Sequence, residues 1–273
     1  FEAFKKGLFD IYPESDPVKW EKAYDFAAVQ DGRVKKEAFI TRSPAAMYGF
    51  FFNTRRKVFA DRSVRTALAM LFDFEWTNKN LFAGQYSRTG SFWQNSELSA
   101  LGVPASAGES ALLAPFVAKV DAEVMSGAWR PAATDGSGRD REVMKKAVAL
   151  LSTAGFAIKN QKMSGADGRP LAFEILSANG AEEKLALVFQ RTLAKVGIDA
   201  FVRTVDDAQY QQRRQTWDYD MLLASLSSSL SPGIEQTGRW GSSSRDADGT
   251  FNYAGVAEPA IDAMIEAIGK ANS

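Results

Sequence analysis

The clearest pattern in the chain begins at Asp140. Runs with apolar residues three and four positions apart, typical of amphipathic helices, alternate from there with runs typical of strands. The helical runs are 140–155, 185–197 and 206–215, and the strand-like runs are 171–178, 198–205 and 219–224. Strands joined through helices by short connections pair in parallel through right-handed crossovers. The pattern therefore predicts an α/β fold built on a βαβαβ unit, with a mainly parallel sheet flanked by helices.

Upstream of Asp140 the pattern is less regular. Clustered aromatic residues at 46–54 predict a strand, and the residues after Asp61 predict a helix with Asp61 as its N-cap. Weaker patterns predict further strands at 8–12 and 33–41, and further helices at 2–7 and 18–26. Stretches rich in Gly, Ser, Asn and Pro predict long loops at 84–110 and 127–139.

The segment 225–244, SLSSSLSPGIEQTGRWGSSS, follows the last predicted strand and is largely polar. The carboxyl ends of parallel strands meet at one edge of a sheet, which is where α/β proteins bind ligands. We therefore expect 225–244 to lie at that edge together with Ser177–Gly180 and Asp206–Asp207. This edge is the predicted ligand site.

The composition narrows the possible chemistry. The chain has 273 residues, no cysteine, no histidine and a net charge of +0. It therefore has no disulfide, no zinc–thiolate site and no histidine-dependent triad. Lysine and arginine are spread along the chain, which gives no indication of nucleic-acid binding. We expect no metal, no cofactor and no enzymatic activity.

Several blocks of the chain, in order, resemble the family-5 extracellular solute-binding proteins. The block 51–82 carries the most recognisable positions of that family, and 145–156, 167–176 and 189–223 resemble its second half. The matching positions of the first block are Phe52, Asn53, Phe59, Asp61, Val64, Arg65, Ala67, Leu68 and Asp73. The resemblance implies the periplasmic receptor of an ABC importer for oligopeptides or nickel, with a fold like that of the periplasmic binding proteins.

Two stretches narrow the resemblance to one branch of the family. Residues 88–104 and 229–242 resemble the branch that includes the Yej-type receptors, which is linked to import of oligopeptides and microcin C. More typical oligopeptide receptors carry an aspartate just after the third strand, where it pairs with the amino terminus of the peptide. Here Ser225–Ser231 contains no acidic residue, and Glu235 is the candidate substitute.

The resemblance also implies two lobes that close over the ligand. Residues 49–273 resemble the C-terminal α/β lobe, and residues 1–48 the hinge-proximal segment that leads out of the N-terminal lobe. A start at Phe1 favours a fragment, so we expect a longer precursor with a signal peptide and the missing N-terminal lobe. The implied partners are an oligopeptide or peptide-like ligand and the permease subunits of the inner membrane, and the implied location is the periplasm.

Seven residues are the candidate ligand contacts: Trp240, Glu235, Ser227, Ser228, Trp93, Tyr86 and Asn53. Aromatic faces give sequence-tolerant contact, a carboxylate pairs with a cationic group, and serine hydroxyls bond a peptide backbone. Trp93 and Tyr86 are predicted to form the facing wall of the cleft. Each residue also has a structural explanation, such as packing on the core or forming a turn, and for Asn53 a structural role is favoured.

A carboxylate-based hydrolase is the alternative function. It would use Asp206 or Asp207 with Glu235, and it requires two carboxyl groups about 5–9.5 Å apart. Helix capping explains Asp206 and Asp207 at least as well. A third possibility is a structural interaction lobe, in which 225–244 packs flat and leaves no cleft.

Overall fold

The computed structural model describes residues 1–271 of the protein. The strands are β1 Met47–Phe52, β2 Ala157–Lys159, β3 Lys162–Ser164, β4 Ala172–Ser177, β5 Asp199–Thr204 and β6 Met221–Leu226. The helices are α1 Glu2–Lys5, α2 Pro17–Lys22, α3 Ala27–Gln30, α4 Arg62–Met70, α5 Phe74–Leu81, α6 Ala107–Leu113, α7 Ala122–Met125, α8 Arg141–Thr153, α9 Gly180–Ala194, α10 Asp207–Gln215, α11 Thr237–Trp240 and α12 Pro259–Lys270. Short 3-10 turns cover Lys57–Phe59, Ala114–Lys119, Ile234–Gln236 and Ser242–Ser244.

Four strands form one mixed sheet in the order β1-β6-β4-β5. β4 pairs in parallel with both β5 and β6, whereas β1 pairs with β6 in the antiparallel direction. Helix α9 connects β4 to β5, and helix α10 connects β5 to β6. The predicted α/β class and βαβαβ unit are confirmed, and β1 adds an antiparallel edge strand to that unit. β2 and β3 form a separate antiparallel pair.

The core lies on both faces of this sheet. On one face α4, α8 and α9 supply Leu68, Leu151 and Phe189 to a cluster that includes Ile175 of β4. On the other face the next residue of β4, Leu176, packs with aromatic residues that include Tyr210 of α10. Successive side chains of a strand point to opposite faces, so adjacent residues of β4 serve both clusters. Full burial of a large apolar side chain stabilises a fold by roughly 1.5–3 kcal/mol, so the two clusters hold the helices on the sheet.

The helices begin where acceptor side chains precede them. Asp61 caps α4 through the backbone N–H of Ser63, as predicted. The same interaction recurs in front of six other described helices: Asp16 before α2, Asp73 before α5, Ser106 before α6, Asp140 before α8, Asn179 before α9 and Asp206 before α10. Such caps satisfy backbone donors that have no partner inside the helix, and each contributes about 1 kcal/mol.

The strands predicted at 8–12 and 33–41 are wrong, since neither segment forms a strand. Both carry apolar side chains, but Ile11 is 81% exposed and Ile40 is 97% exposed. Strand propensity expresses the packing of a side chain on a pleated surface, and these segments have no such surface beneath them. The helix predicted at 18–26 is also shorter, because α2 ends at Lys22.

The predicted loop 84–110 and the polar segment 225–244 contain more regular structure than their composition suggested. The loop 84–110 is irregular only as far as Ser106, which forms a capping box with Glu109 and begins α6. The segment 225–244 contains the end of β6, the short helix α11 and two 3-10 turns. β1 begins at Met47, just before the predicted domain boundary at 48/49, and the last two residues of the predicted lobe 49–273 lie outside the described residues.

Two glycines at helix ends differ in their surroundings, and this difference gives a stability prediction. Gly155 and Gly197 have φ angles of 85° and 78°, where a side chain costs roughly 1–2 kcal/mol. A Cβ atom at Gly155 would meet nothing within 4 Å, whereas at Gly197 it would lie 2.7 Å from the carbonyl oxygen of Gln161. We expect Gly197→Ala to lower the free energy of unfolding by at least about 2 kcal/mol more than Gly155→Ala.

Urea denaturation of both variants measures this difference. Equal losses would show that the hairpin formed by β2 and β3 moves away from Gly197 at no cost, which would contradict the close approach seen here.

Candidate functional site

The carboxyl ends of the three parallel strands meet at one edge of the sheet, called here the ligand edge. Ser177 of β4 lies opposite Thr204 of β5, and Leu176 lies opposite Leu222 of β6. The residues that follow these strands therefore lie side by side, as expected for Ser177–Gly180, Asp206–Asp207 and 225–244. Because β1 is antiparallel, its first residue, Met47, pairs with Leu226 and also lies at this edge.

Trp240 connects the segment 225–244 to the loop 84–110. Its ring lies 4.7 Å from that of Phe92, measured between centroids, and both rings pack against the core cluster that contains Leu176. The indole N–H donates to Oε1 of Gln236 at 3.2 Å. Trp240 is half-buried, so one part of its ring is fixed against the core and the other part stays accessible at the ligand edge.

Trp93 lies on the same wall, because its indole N–H donates to the carbonyl oxygen of Ser229 at 2.9 Å. The prediction that Trp93 forms a facing wall is therefore wrong: its loop extends the wall that Ser229 belongs to. Tyr86 lies earlier in this loop. Its side chain is 46% exposed, and the centroid of its ring lies 4.8 Å from that of Phe82. The amide side chain of Asn78 holds the backbone of Tyr86 through two hydrogen bonds.

Glu235 is an exposed carboxylate at the start of the turn before α11. Its Oε1 accepts from the backbone N–H of Gly233 at 2.9 Å and from Nε2 of Gln236 at 3.0 Å. The bond from Gly233 holds the pKa of Glu235 below its usual value. The side chain is therefore charged at neutral pH, oriented by its neighbours and open to a cationic partner.

The serines after β6 differ from one another. Ser227 is exposed. The hydroxyl oxygen of Ser228 is enclosed and has no hydrogen-bond partner, and the same holds for Ser177 at the end of β4. Buried polar groups are nearly always paired, and leaving one unpaired costs about 1–3 kcal/mol. Both hydroxyls belong to segments at the ligand edge, where a ligand or a water molecule would satisfy them.

Asn53 lies at the opposite edge of the sheet. It follows β1, whose last residue, Phe52, pairs with Met221 at the start of β6. Its buried amide donates to the carbonyl oxygens of Trp217 and Tyr219 at 3.1 and 2.8 Å. The geometry therefore gives Asn53 a structural role, and we leave it out of the proposed site.

The carboxylates of the alternative function have other roles. Asp206 accepts from the backbone N–H of Gln209 at 2.9 Å as the N-cap of α10, and Asp207 lies in the first turn of that helix. Within residues 1–271 no group of three or more acidic side chains is arranged to hold a metal ion. A catalytic acid would need a raised pKa, and the pKa of Glu235 is lowered.

Tyr48 is a residue of the ligand edge that the sequence did not single out. It pairs with Ser225 across β1 and β6, and its side chain is 51% exposed. Partial desolvation and the nearby carboxylate of Glu182 raise the pKa of Tyr48 to about 12. The phenol therefore stays neutral and can donate a hydrogen bond. Tyr48 lies at the ligand edge only because β1 pairs with β6 in the antiparallel direction, and no local sequence pattern indicates that pairing.

Residues 1–248 match the bacterial extracellular solute-binding proteins, family 5 Middle. The chain belongs to this family. The predicted resemblance is thereby confirmed. Within residues 1–271 of this family-5 protein, no helix is both long and apolar enough to cross a membrane.

Three relatives show the branch of the family. The chain is 59% identical over 98% of its own length to a protein of Brucella melitensis named "Putative binding protein". It is 51% identical over 100% to the peptidoglycan-binding protein YepA of Agrobacterium fabrum. It is 36% identical over 98% to a protein of Agrobacterium fabrum named "Probable peptide-binding protein YejA", which confirms the Yej-type branch. The chain spans only 44%, 46% and 44% of these three proteins.

Solved structures agree on the fold. The oligopeptide-binding protein AppA of Bacillus subtilis, solved with a nonapeptide, superposes with a TM-score of 0.67 at 19% identity. The superposition covers 99% of this chain and 46% of AppA. This family-5 protein therefore shares the architecture of one part of a larger binding protein.

The unpaired hydroxyl of Ser228 gives a second stability prediction, with Ser244 as a matched control. Oγ of Ser244 is buried as well, but it donates to the carbonyl oxygen of Gly241 at 2.7 Å and accepts from Nδ2 of Asn252 at 3.2 Å. Without a ligand, we expect Ser228→Ala to cost no stability and to raise the free energy of unfolding by up to about 1–3 kcal/mol, because it removes a buried hydroxyl that has no partner. Ser244→Ala removes made bonds and should cost about 1–2 kcal/mol.

Chemical denaturation of the two variants provides the measurement. A loss at Ser228→Ala as large as that at Ser244→Ala would mean that the Ser228 hydroxyl is already bonded in the free protein.

Proposed function

We propose that this chain is the C-terminal ligand-binding lobe of a periplasmic receptor for an ABC importer. The receptor captures oligopeptides or peptide-like compounds between two lobes and delivers them to the permease in the inner membrane. The observation that carries this proposal is the ligand edge, where the paired strands end and are followed by segments that contain the enclosed unpaired hydroxyls of Ser177 and Ser228 and the oriented carboxylate of Glu235.

The chemistry of that edge suits a peptide. Peptides offer backbone N–H and C=O groups to hydroxyls such as Ser228, and varied side chains to aromatic faces such as Tyr86. A free amino terminus would pair with Glu235, the charged group that stands in for the aspartate of more typical oligopeptide receptors. Binding without covalent chemistry accounts for these groups, and the cap at α10 gives the carboxylate of Asp206 a structural role.

The relatives support this substrate class. One is named a peptidoglycan-binding protein and another a probable peptide-binding protein. Peptides derived from peptidoglycan carry both an amine and a peptide backbone, so we include them among the proposed ligands. A single lobe supplies one wall, and closure of a second lobe would bury the ligand and exclude water. The isolated lobe should accordingly bind more weakly than the whole receptor.

One experiment tests both the function and the role of Glu235. The whole receptor is incubated with an equal mixture of free and N-acetylated forms of one pool of tri- to pentapeptides. Retained peptides are read by mass spectrometry after gel filtration. We expect free-amino peptides to be retained in excess, because the acetyl group removes the charge that pairs with Glu235. Glu235→Gln should reduce that excess about tenfold.

Glu97→Gln is the control, since Glu97 is an exposed carboxylate in the neighbouring loop. It should leave the excess unchanged. Retention of no peptide of either form by the wild-type receptor would contradict the proposed function. Equal retention of both forms would contradict only the role given to Glu235.

A further inference from the structure

A cavity of about 240 Å³ lies away from the ligand edge, between α9 and the loop that precedes α8. We call it the cationic cavity. Its lining residues are Asp73, Trp76, Ser137, Gly138, Arg139, Val188, Arg191, Thr192 and Lys195. Helix α9 begins at the ligand edge, and its residues rise about 1.5 Å each, so Lys195 lies roughly 20 Å further along the helix axis. The cavity is therefore separate from the proposed peptide site.

The loop wall of the cavity is held in place by Asp73. This buried carboxylate accepts from the backbone N–H of Gly138 at 2.8 Å and from that of Trp76 at 2.9 Å, and also from the hydroxyl of Thr134. Gly138 approaches the ring of Trp76 so closely that a Cβ atom there would lie 3.1 Å from Cδ1 of the indole. The wall is thus a fixed structure in the free protein.

The charge of the cavity is unbalanced. Arg139, Arg191 and Lys195 line it, and none of the three forms an ion pair with any described residue. Asp73 is the one acidic lining residue, and its two oxygens accept from Thr134 and Gly138 of the loop and from the first turn of α5. The ammonium of Lys195 donates to the carbonyl oxygen of Gly138, a neutral group that leaves its charge uncompensated. Three cations around a concave surface raise the local concentration of anions, and guanidinium groups match the geometry of carboxylate and phosphate oxygens.

Besides the charged residues and the hydroxyls of Ser137 and Thr192, the cavity offers apolar surface. Trp76 supplies an aromatic ring, Val188 supplies a branched side chain, and the cationic residues contribute their methylene stems. A bare inorganic ion would leave these surfaces uncovered, whereas an anion on a small planar or apolar body would cover them and reach the charges. We propose that the cationic cavity is a second binding site, for a small organic carboxylate.

Benzoate is the probe for this proposal, with acetate and inorganic phosphate as comparisons at constant ionic strength. The binding signal is the indole N–H resonance of Trp76 in the 273-residue chain, assigned by its loss in Trp76→Phe. We expect a saturable shift with benzoate and an affinity for acetate about tenfold lower, because acetate makes no contact with the ring or with Val188. Phosphate should also bind less tightly than benzoate.

Arg191→Ala should weaken benzoate binding about tenfold or more, and Arg139→Ala should weaken it in the same direction. Lys184→Ala is the matched control, because Lys184 is an exposed cation on the same helix that does not line the cavity. It should leave the affinity unchanged. A linear shift without saturation, equal affinity for acetate and benzoate, or equal weakening by Arg191→Ala and Lys184→Ala would overturn the proposal.

Discussion

The position of β6 in the sheet is the constraint on which the ligand edge depends. β6 pairs in parallel with β4 on one side and in the antiparallel direction with β1 on the other. A shift of one residue would move the buried Leu222 to the opposite face and turn every following side chain with it. The amide of Asn53 opposes such a shift, because it bonds the carbonyl oxygens of Trp217 and Tyr219 just before β6 begins. The buried amide of Asn53 lies opposite the ligand edge, and by fixing the start of β6 it helps to position the polar groups that follow the end of β6.

The sequence predicted the parallel part of the sheet because the signals for it are local. Helix periodicity, N-caps such as Asp140 and the glycines that follow α8 and α9 all lie within or next to the elements that they define. The strand β1 was predicted too, but its partner was not, since β6 lies far along the chain and antiparallel pairing leaves no local mark. Tyr48 was missed for that reason. The strand predictions for 8–12 and 33–41 are wrong for a different reason. These segments have the composition of strands, but they have no pleated surface to pack on.

For the candidate site as well, the sequence indicated which types of residue are present but not where their side chains lie. A polar segment after a strand was enough to single out Ser228 and Glu235. It could not show that the Ser228 hydroxyl is enclosed and unpaired, because that depends on the packing of whole elements. It also could not show that Trp93 bonds to Ser229, which puts the two long loops on one wall. Asn53 lies within the predicted strand 46–54, and only the direction of β1 shows that it lies opposite the ligand edge.

Hydrogen–deuterium exchange of the whole receptor, with and without a pool of tri- to pentapeptides, tests the central claim most directly. The claim is that the carboxyl ends of β4, β5 and β6 form the wall that contacts the ligand. We predict that peptides slow exchange in 225–244 and 84–106, and leave the loop 134–139 and the end of α9 unchanged. Slower exchange at residues around Asn53, with none in 225–244, would contradict the claim, because it would place the ligand at the opposite edge of the sheet.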